Sequence, residues 1–174
     1  MSQIIFADHP DFTPNLTPKE MFQAGIFGGT YFRPIHSSIT GEDYADEHKE
    51  FPADRFAGIV VDDDHYDKKR NKYNIKCGTS LEFREHKWWI KAQDPYGRVQ
   101  RYCRFYLGRR TADDDRQIKR RKALTGPTGR FKNHLIKLLR DRYTHYDDPL
   151  VSPKIRQVLL HRAYEITQED VRWP

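Results

Sequence analysis

The distribution of charge along this chain is the feature that most constrains its fold. Residues 98–142 contain 15 Lys or Arg side chains and four Asp, a net charge of +11, whereas the whole 174-residue chain carries only +6. Residues 1–97 have a net charge of −4 and residues 143–174 a net charge of −1. Such a cationic segment is explained by acidic residues elsewhere in the fold, by a solvated surface, or by a polyanionic partner.

Length and composition predict a single ordered domain spanning residues 1–174. A chain of this length buries a hydrophobic core without needing disulfides or metals. Charged residues make up 32% and apolar residues 37% of the chain, but the aromatic content of 13% is typical of an ordered protein rather than a disordered one. We expect a turn-rich acidic region at 1–97, a basic region at 98–142 and a helical C-terminal element at 143–174.

The N-terminal sequence and the cysteine content predict an intracellular protein with no membrane partner. The first residues, MSQIIFADHPDF, have neither the basic nor the apolar segment of a signal peptide. No apolar run approaches the roughly 20 residues that cross a bilayer. The two cysteines, Cys77 and Cys103, are expected to be reduced thiols. The four cations Lys119–Lys122 resemble a short nuclear localisation signal, which does not decide between cytoplasm and nucleus. The sequence does not indicate an oligomeric state.

Helix and strand signals in residues 1–107 are mixed. Thr17-Pro18-Lys19-Glu20 is a capping box that predicts a short helix ending at Gly25. The segments 58–61 and 87–91 read as strands, and 75–83 as extended chain. Residues 95–107 have two interpretations: the apolar spacing predicts a helix, whereas the aromatic content favours a hairpin with Trp88-Trp89-Ile90. We favour the hairpin.

Residues 108–174 predict successive helices. Capping residues and apolar spacing place helices near 112–124 and 128–142, a third beginning at Ser152-Pro153, and a last turn at Thr167–Asp170. The predicted fold class is therefore α+β, with a small antiparallel sheet from the N-terminal half packed against three or four helices from the C-terminal half.

The basic region predicts a nucleic-acid-binding protein, with DNA and RNA equally compatible. Ile118 is the only good core residue between 116 and 122, so the cations of this segment are expected to point outward over most of the helix. The turn at 126–129 leads into the next helix, whose free N–H groups suit a phosphate. The alternative is a solvated helix whose cations pair with acids. The predicted phosphate-binding residues are Arg109, Arg110, Arg116, Lys119, Arg120, Arg121, Lys122, Arg130 and Lys132.

Cations alternate with aromatic rings between residues 98 and 110. Arginines beside rings such as Tyr102 and Phe105 suit unstacked bases, each stacked base contributing about 1–3 kcal/mol. The alternative is that the rings face the core and the stems of arginines such as Arg98 and Arg101 cover it. We expect core positions for the rings, with the guanidinium groups still available for function.

A second interpretation is a Mg²⁺-dependent nuclease. Pro52-Ala53-Asp54 and Glu85-His86-Lys87 resemble the PD…ExK arrangement, in which acids hold a metal and the lysine activates water. Asp62–Asp64 are alternative acids. This site needs Asp54, Glu85 and Lys87 to converge, with Glu85 and Lys87 on one strand. Otherwise we expect no cofactor or metal, because no His or Cys pair has zinc-binding spacing. A third interpretation is a non-catalytic protein that docks an acidic partner.

The block Tyr102-Cys103-Arg104-Phe105-Tyr106-Leu107-Gly108-Arg109-Arg110, followed by Asp114-Asp115-Arg116-Gln117-Ile118, resembles a family of short uncharacterised proteins. The segments 76–82 and 94–97 are similar to it as well, so the resemblance covers roughly residues 50–140. It implies that this block folds as a unit, and it implies no activity. The chain departs from the family pattern at Arg98, Arg101 and Arg121, where tryptophan is expected.

Overall fold

The chain folds mainly into short helices, as seen in a computed structural model that describes residues 3–172. Helices make up 42% of the structure, whereas the sheet has two strands, β1 (Ile35–His36) and β2 (Asp43–Tyr44). The α-helices are α1 (Pro18–Ala24), α2 (Leu81–His86), α3 (Arg98–Tyr106), α4 (Asp114–Thr125), α5 (Arg130–Asp141), α6 (Pro153–Leu160) and α7 (Gln168–Val171). Short 3₁₀ turns lie at Phe27–Gly29, Glu47–Glu50, Ala53–Phe56 and Lys68–Arg70.

Local capping signals place several helices where the sequence predicts them. Thr17 Oγ1 accepts a hydrogen bond from the Glu20 amide at 3.1 Å, and Glu20 Oε2 accepts one from the Thr17 amide at 2.7 Å. This reciprocal pair starts α1, and Gly25 ends it with a positive φ of 105°. Helices α4, α5 and α6 also lie close to their predicted positions, and α7 begins at the predicted Thr167 cap.

The strand predicted at 87–91 is wrong, because these residues form the turn and loop that follow α2. Ser80 Oγ accepts from the Phe83 amide at 3.1 Å and starts the helix. The amides of Lys87 and Trp89 then donate to helix carbonyls, and Trp88 has a φ of +59°. The backbone groups that a strand would pair are thus satisfied locally. The predicted extended segment 75–83 likewise runs into this helix at Leu81.

The hairpin favoured for residues 95–107 is also wrong, and the helical alternative is confirmed. Helix α3 begins after Gly97 and buries Val99, Tyr102, Cys103 and Phe105 along its length. Tertiary packing decides between the two interpretations, because this face meets rings such as Phe12. The aromatic residues that suggested a strand belong to the core of a helical layer.

The antiparallel sheet is smaller than predicted. It pairs Ile35 with Tyr44 and His36 with Asp43. The predicted strand at 58–61 is loop, although the Phe32 amide donates to Val61 O at 2.7 Å. A mixed helical and antiparallel structure is thus confirmed, with helices rather than strands forming most of it.

Two groups of buried side chains hold the helices together. The larger contains rings from the N-terminal half, such as Phe22 and Phe32, packed with Tyr102 and Phe105 of α3. The smaller joins α5 and α6 through Leu135, Leu139 and Leu159. None of the helices within residues 3–172 has the length and apolar character needed to cross a membrane.

Candidate anion-binding site

Five of the nine predicted phosphate-binding cations form ion pairs, three of them with acids from residues 1–97. The pairs are Arg109–Asp94 at 2.7 Å, Arg110–Asp8 at 2.7 Å, Arg116–Asp113 at 2.5 Å, Lys122–Asp11 at 3.3 Å and Lys132–Asp170 at 2.9 Å. These carboxylates, of which Asp94 also pairs with Arg104, neutralise part of the local positive charge within the fold. The nine residues therefore do not form one continuous basic face.

The other four predicted cations have different surroundings. Lys119 and Arg130 are exposed. Arg121 is buried and donates to the Arg162 carbonyl at 2.8 Å. The Arg120 guanidinium lies over the Trp89 ring, 4.4 Å from its centroid. Only Arg120 of these belongs to the group of cations described next.

Four arginines from four parts of the fold line one small cavity. Arg84 comes from α2, Arg98 from the first turn of α3, Arg120 from α4 and Arg162 from the turn after α6. We call these four residues the arginine cluster. The cavity has a volume of about 30 Å³, and its other walls are Trp89, Ile90 and Gln117.

The arginine cluster lacks counter-ions. No Asp or Glu lines its cavity, and within residues 3–172 none of the four guanidinium groups has a carboxylate at ion-pair distance. The Nε atoms of Arg98 and Arg162 are buried and have no hydrogen-bond partner in this part of the chain. Arg84 Nε makes one long contact, 3.4 Å, to the Ser80 carbonyl. Buried charges are usually paired, so this arrangement is unusual.

Burial and mutual repulsion both act on these groups. Burial, followed by the positive charge of Arg84, lowers the pKa of Arg98 to about 10. Burial is also the main cause that lowers the pKa of Arg84, Arg120 and Arg162, and repulsion from Arg98 adds to the effect at Arg162. The charged cluster is therefore under electrostatic stress, which an anion in the cavity would relieve.

A neighbouring cavity extends the cationic region. It also has a volume of about 30 Å³ and shares Arg98, Gln117 and Arg162 with the first, while Arg101 and Arg121 contribute further guanidinium groups. Arg101 differs from the arginine cluster, because its Nε donates to Asp114 Oδ1 at 3.0 Å. Asp114 therefore neutralises one arginine and leaves the cluster without a counter-ion.

The residue types of the cluster suit an oxyanion. A guanidinium presents five N–H donors in a planar fork that matches the oxygens of phosphate or carboxylate in pairs. Arg98 stays protonated at neutral pH even with its pKa lowered to about 10, so it keeps a positive charge at the cavity. Gln117 adds a neutral amide to the same wall.

His161 and Cys77 lie beside Arg98 and form a neutral pair. The Phe27 amide donates to His161 Nε2 at 3.3 Å, which leaves the proton on Nδ1, 3.5 Å from Cys77 Sγ. Burial raises the pKa of the Cys77 thiol to about 11. Cys77 is therefore a buried thiol, as predicted, and not an activated nucleophile.

His161 should make the free energy of unfolding depend on pH below about 6.5. Burial, followed by the charges of Arg98, Arg162 and Arg84, lowers its pKa well below 6.5. In the unfolded chain the His161 side chain binds a proton near pH 6.5, whereas in the folded chain it stays neutral at this pH. This stabilisation is complete above pH 6.5 and is lost as the pH falls towards the folded pKa.

Urea unfolding of the wild type and of His161→Gln measures this effect. Between pH 7 and about pH 5.5, the wild type should lose about 1 kcal/mol more than the variant. The carboxylates are the same in both proteins, so their contribution to the pH dependence cancels in the comparison. An equal loss in both would show that His161 is not held neutral.

The three candidate nuclease residues are engaged with separate partners. Asp54 pairs with Lys19 at 3.1 Å, and Glu85 Oε2 accepts from the Ser38 amide at 2.9 Å. Lys87 Nζ lies over the Phe83 ring. Glu85 lies in α2, and Lys87 is the first residue after this helix. These residues therefore do not form the single strand that the site requires. The physical reason is the Ser80 cap, which starts a helix at this point in the chain.

Among the alternative acids, Asp62 lies in a different cluster. Its carboxylate, that of Asp46 and the His48 ring have ligand atoms within 4.8 Å of one another. The two aspartates are exposed, and exposed acids often converge without a metal. Asp63 instead pairs with Arg70 at 2.9 Å.

The sequence reasoning missed most of the arginine cluster. Arg120 was among the predicted phosphate contacts, and Arg98 among the arginines beside aromatic rings. Reading residues 95–107 as a helix would have placed Arg98 at the start of a buried helix. Arg84 and Arg162 carry no local signal, because they meet the other two only through tertiary packing.

The chain matches no protein-family model, no curated protein and no solved structure. The family resemblance noted in the sequence therefore stays a prediction. The evidence for the site is its own geometry and charge.

Proposed function

We propose that this protein binds nucleic acid and that the arginine cluster is its main phosphate contact. The observation that carries the proposal is the convergence of four guanidinium groups with no carboxylate among them. Phosphates supply the negative charge that no carboxylate of the fold supplies at this cavity. Arginine is the residue best suited to contact phosphates. The site thus differs from the outward-facing cations that the sequence predicts.

The size of the cavity supports an extended ligand. A volume of about 30 Å³ holds a few waters or the oxygen atoms of one phosphate group, and not a nucleoside. The remainder of any ligand would lie on the surface outside. A strand of nucleic acid satisfies this condition, because its phosphates project from a larger chain.

Aromatic and basic side chains lie on the surface next to the cavity. Trp88 is 74% exposed and Phe83 is 42% exposed, although both are large apolar side chains. The Phe83 ring contacts the cavity-lining Trp89, with centroids 5.7 Å apart. Exposed rings beside exposed lysines, here Lys87 and Lys91, are typical of surfaces on which unpaired bases stack. We therefore favour single-stranded DNA or RNA.

The proposal is tested by measuring the affinity for single- and double-stranded DNA and RNA at several salt concentrations. We expect binding that weakens with salt, and an affinity at least about tenfold lower in Arg98→Gln and Arg162→Gln. Arg142→Gln is the matched control, because Arg142 is exposed at the end of α5. It removes the same charge and should change the affinity less than about threefold.

Two results would contradict the proposal. One is the absence of salt-sensitive binding to any of the four nucleic acids at low ionic strength. The other is an equal loss of affinity in all three variants, which would indicate a diffuse effect of net charge. Circular dichroism of each variant would establish that the comparison is made between folded proteins.

A further inference from the structure

We infer that the arginine cluster binds the terminal phosphate monoester of a nucleic-acid strand in preference to an internal phosphodiester. The inference rests on the proposed function and specifies which phosphate enters the cavity. Three observations support it: the enclosure of the cavity, its charge and its number of hydrogen-bond donors.

The cavity is partly enclosed by several elements of the fold. Its walls come from α2, the loop at Trp89–Ile90, α3, α4 and the turn after α6. An internal phosphate continues into the strand on two sides, so it needs an open groove. A terminal phosphate is attached on one side only and can present its free oxygens to a narrow recess of about 30 Å³.

The charge of the cluster matches a terminal phosphate better than an internal one. A phosphate monoester carries about −1.5 to −2 at neutral pH, whereas a diester carries a single negative charge. Four arginines that are buried or half-buried, with no carboxylate among them, are better compensated by the monoester. In a cavity with little water, this difference is screened less than it would be on the surface.

The donors of the cluster also exceed what a diester can accept. A monoester offers three non-bridging oxygens, and a diester offers two. The buried Nε atoms of Arg98 and Arg162 are without partners in the described chain and lie on guanidinium groups that line the cavity. Because the third oxygen of the monoester can accept a further charge-assisted hydrogen bond, the monoester is favoured over the diester.

Isothermal titration calorimetry with three matched strands tests the inference. The strands share one sequence of about ten nucleotides and end in a 5′-phosphate, a 3′-phosphate or hydroxyl groups only. We expect one phosphorylated strand to bind at least about tenfold more tightly than the hydroxyl-ended strand. Both phosphorylated ends present the same phosphate chemistry. The strand that binds more tightly therefore shows whether the cavity takes the 5′- or the 3′-phosphate.

Variants locate the preference in the cluster. Arg98→Gln and Arg162→Gln should each reduce the preference for the phosphorylated end to less than about twofold, whereas Arg142→Gln should keep it. Two positions are used so that the failure of one variant to fold does not decide the result. A preference that persists unchanged in both folded variants would place the terminal phosphate elsewhere and overturn the inference.

The remaining outcomes separate this inference from the proposed function. Equal affinity for all three strands, lost in Arg162→Gln, would overturn the terminal-phosphate inference and leave nucleic-acid binding intact. Absence of binding by every strand would overturn both.

Discussion

Replacing Asp114 with alanine should lower the free energy of unfolding by about 3–5 kcal/mol. The Asp114 side chain is 2% exposed and pairs with the Arg101 side chain, which is 4% exposed. Its other oxygen accepts from the Thr111 amide at 2.7 Å, at the start of α4. The variant would leave Arg101 charged and buried beside the arginine cluster. Urea unfolding of the wild type and the variant measures the loss.

Asp115→Ala provides the matched control for this prediction. Asp115 is the next residue in the same helix, but its side chain is 96% exposed and lies 4.0 Å from His9. Removing an exposed carboxylate should change the free energy of unfolding by no more than about 0.5 kcal/mol. Equal effects at the two positions would mean that net charge, and not the buried pair, controls stability in this region.

Replacing Arg98 with methionine should raise the free energy of unfolding of the ligand-free protein by about 1–4 kcal/mol, the opposite of the effect at Asp114. Methionine keeps an unbranched stem of similar length and removes a charge whose Nε is buried without a partner. It also relieves the repulsion that Arg98 experiences from Arg84 and exerts on Arg162. A gain of this kind is expected where residues are retained for binding at a cost in stability.

The measurement is urea unfolding in buffer without phosphate or sulfate, with Arg142→Met as the control. The control should change the free energy of unfolding by no more than about 0.5 kcal/mol. Inorganic phosphate at about 100 times its dissociation constant should stabilise the wild type by about 2.7 kcal/mol and Arg98→Met by clearly less. If Arg98→Met is destabilised and phosphate acts equally on both proteins, the cluster is a structural element and not an anion site.

The helical parts of the fold could be predicted because their signals are local. The Thr17 box, the Gly25 stop and the Ser152-Pro153 start act within one turn of chain, and the structure has helices at each. The strands could not be predicted in the same way. The segment 87–91 has the composition of a strand, but the Ser80 cap starts the helix at 81–86 that lies directly before it.

The charge of the basic region was visible in the sequence, whereas its distribution in space was not. The sequence could not show that Asp8 and Asp11 would reach Arg110 and Lys122 across about 100 residues of chain. These pairs remove much of the expected basic face. The same folding leaves Arg98 and Arg120 without carboxylates.

By itself the sequence determined the approximate positions of α1 and of the helices after residue 110, that the chain has a cationic segment, and that its rings are numerous enough for a core. Only the tertiary structure decided which cations are neutralised and which are brought together. The physical reason is range: a cap depends on neighbours within a helical turn, whereas the surroundings of a guanidinium depend on every element packed against it. Arg84 and Arg162 are separated by 77 intervening residues and meet in one cavity.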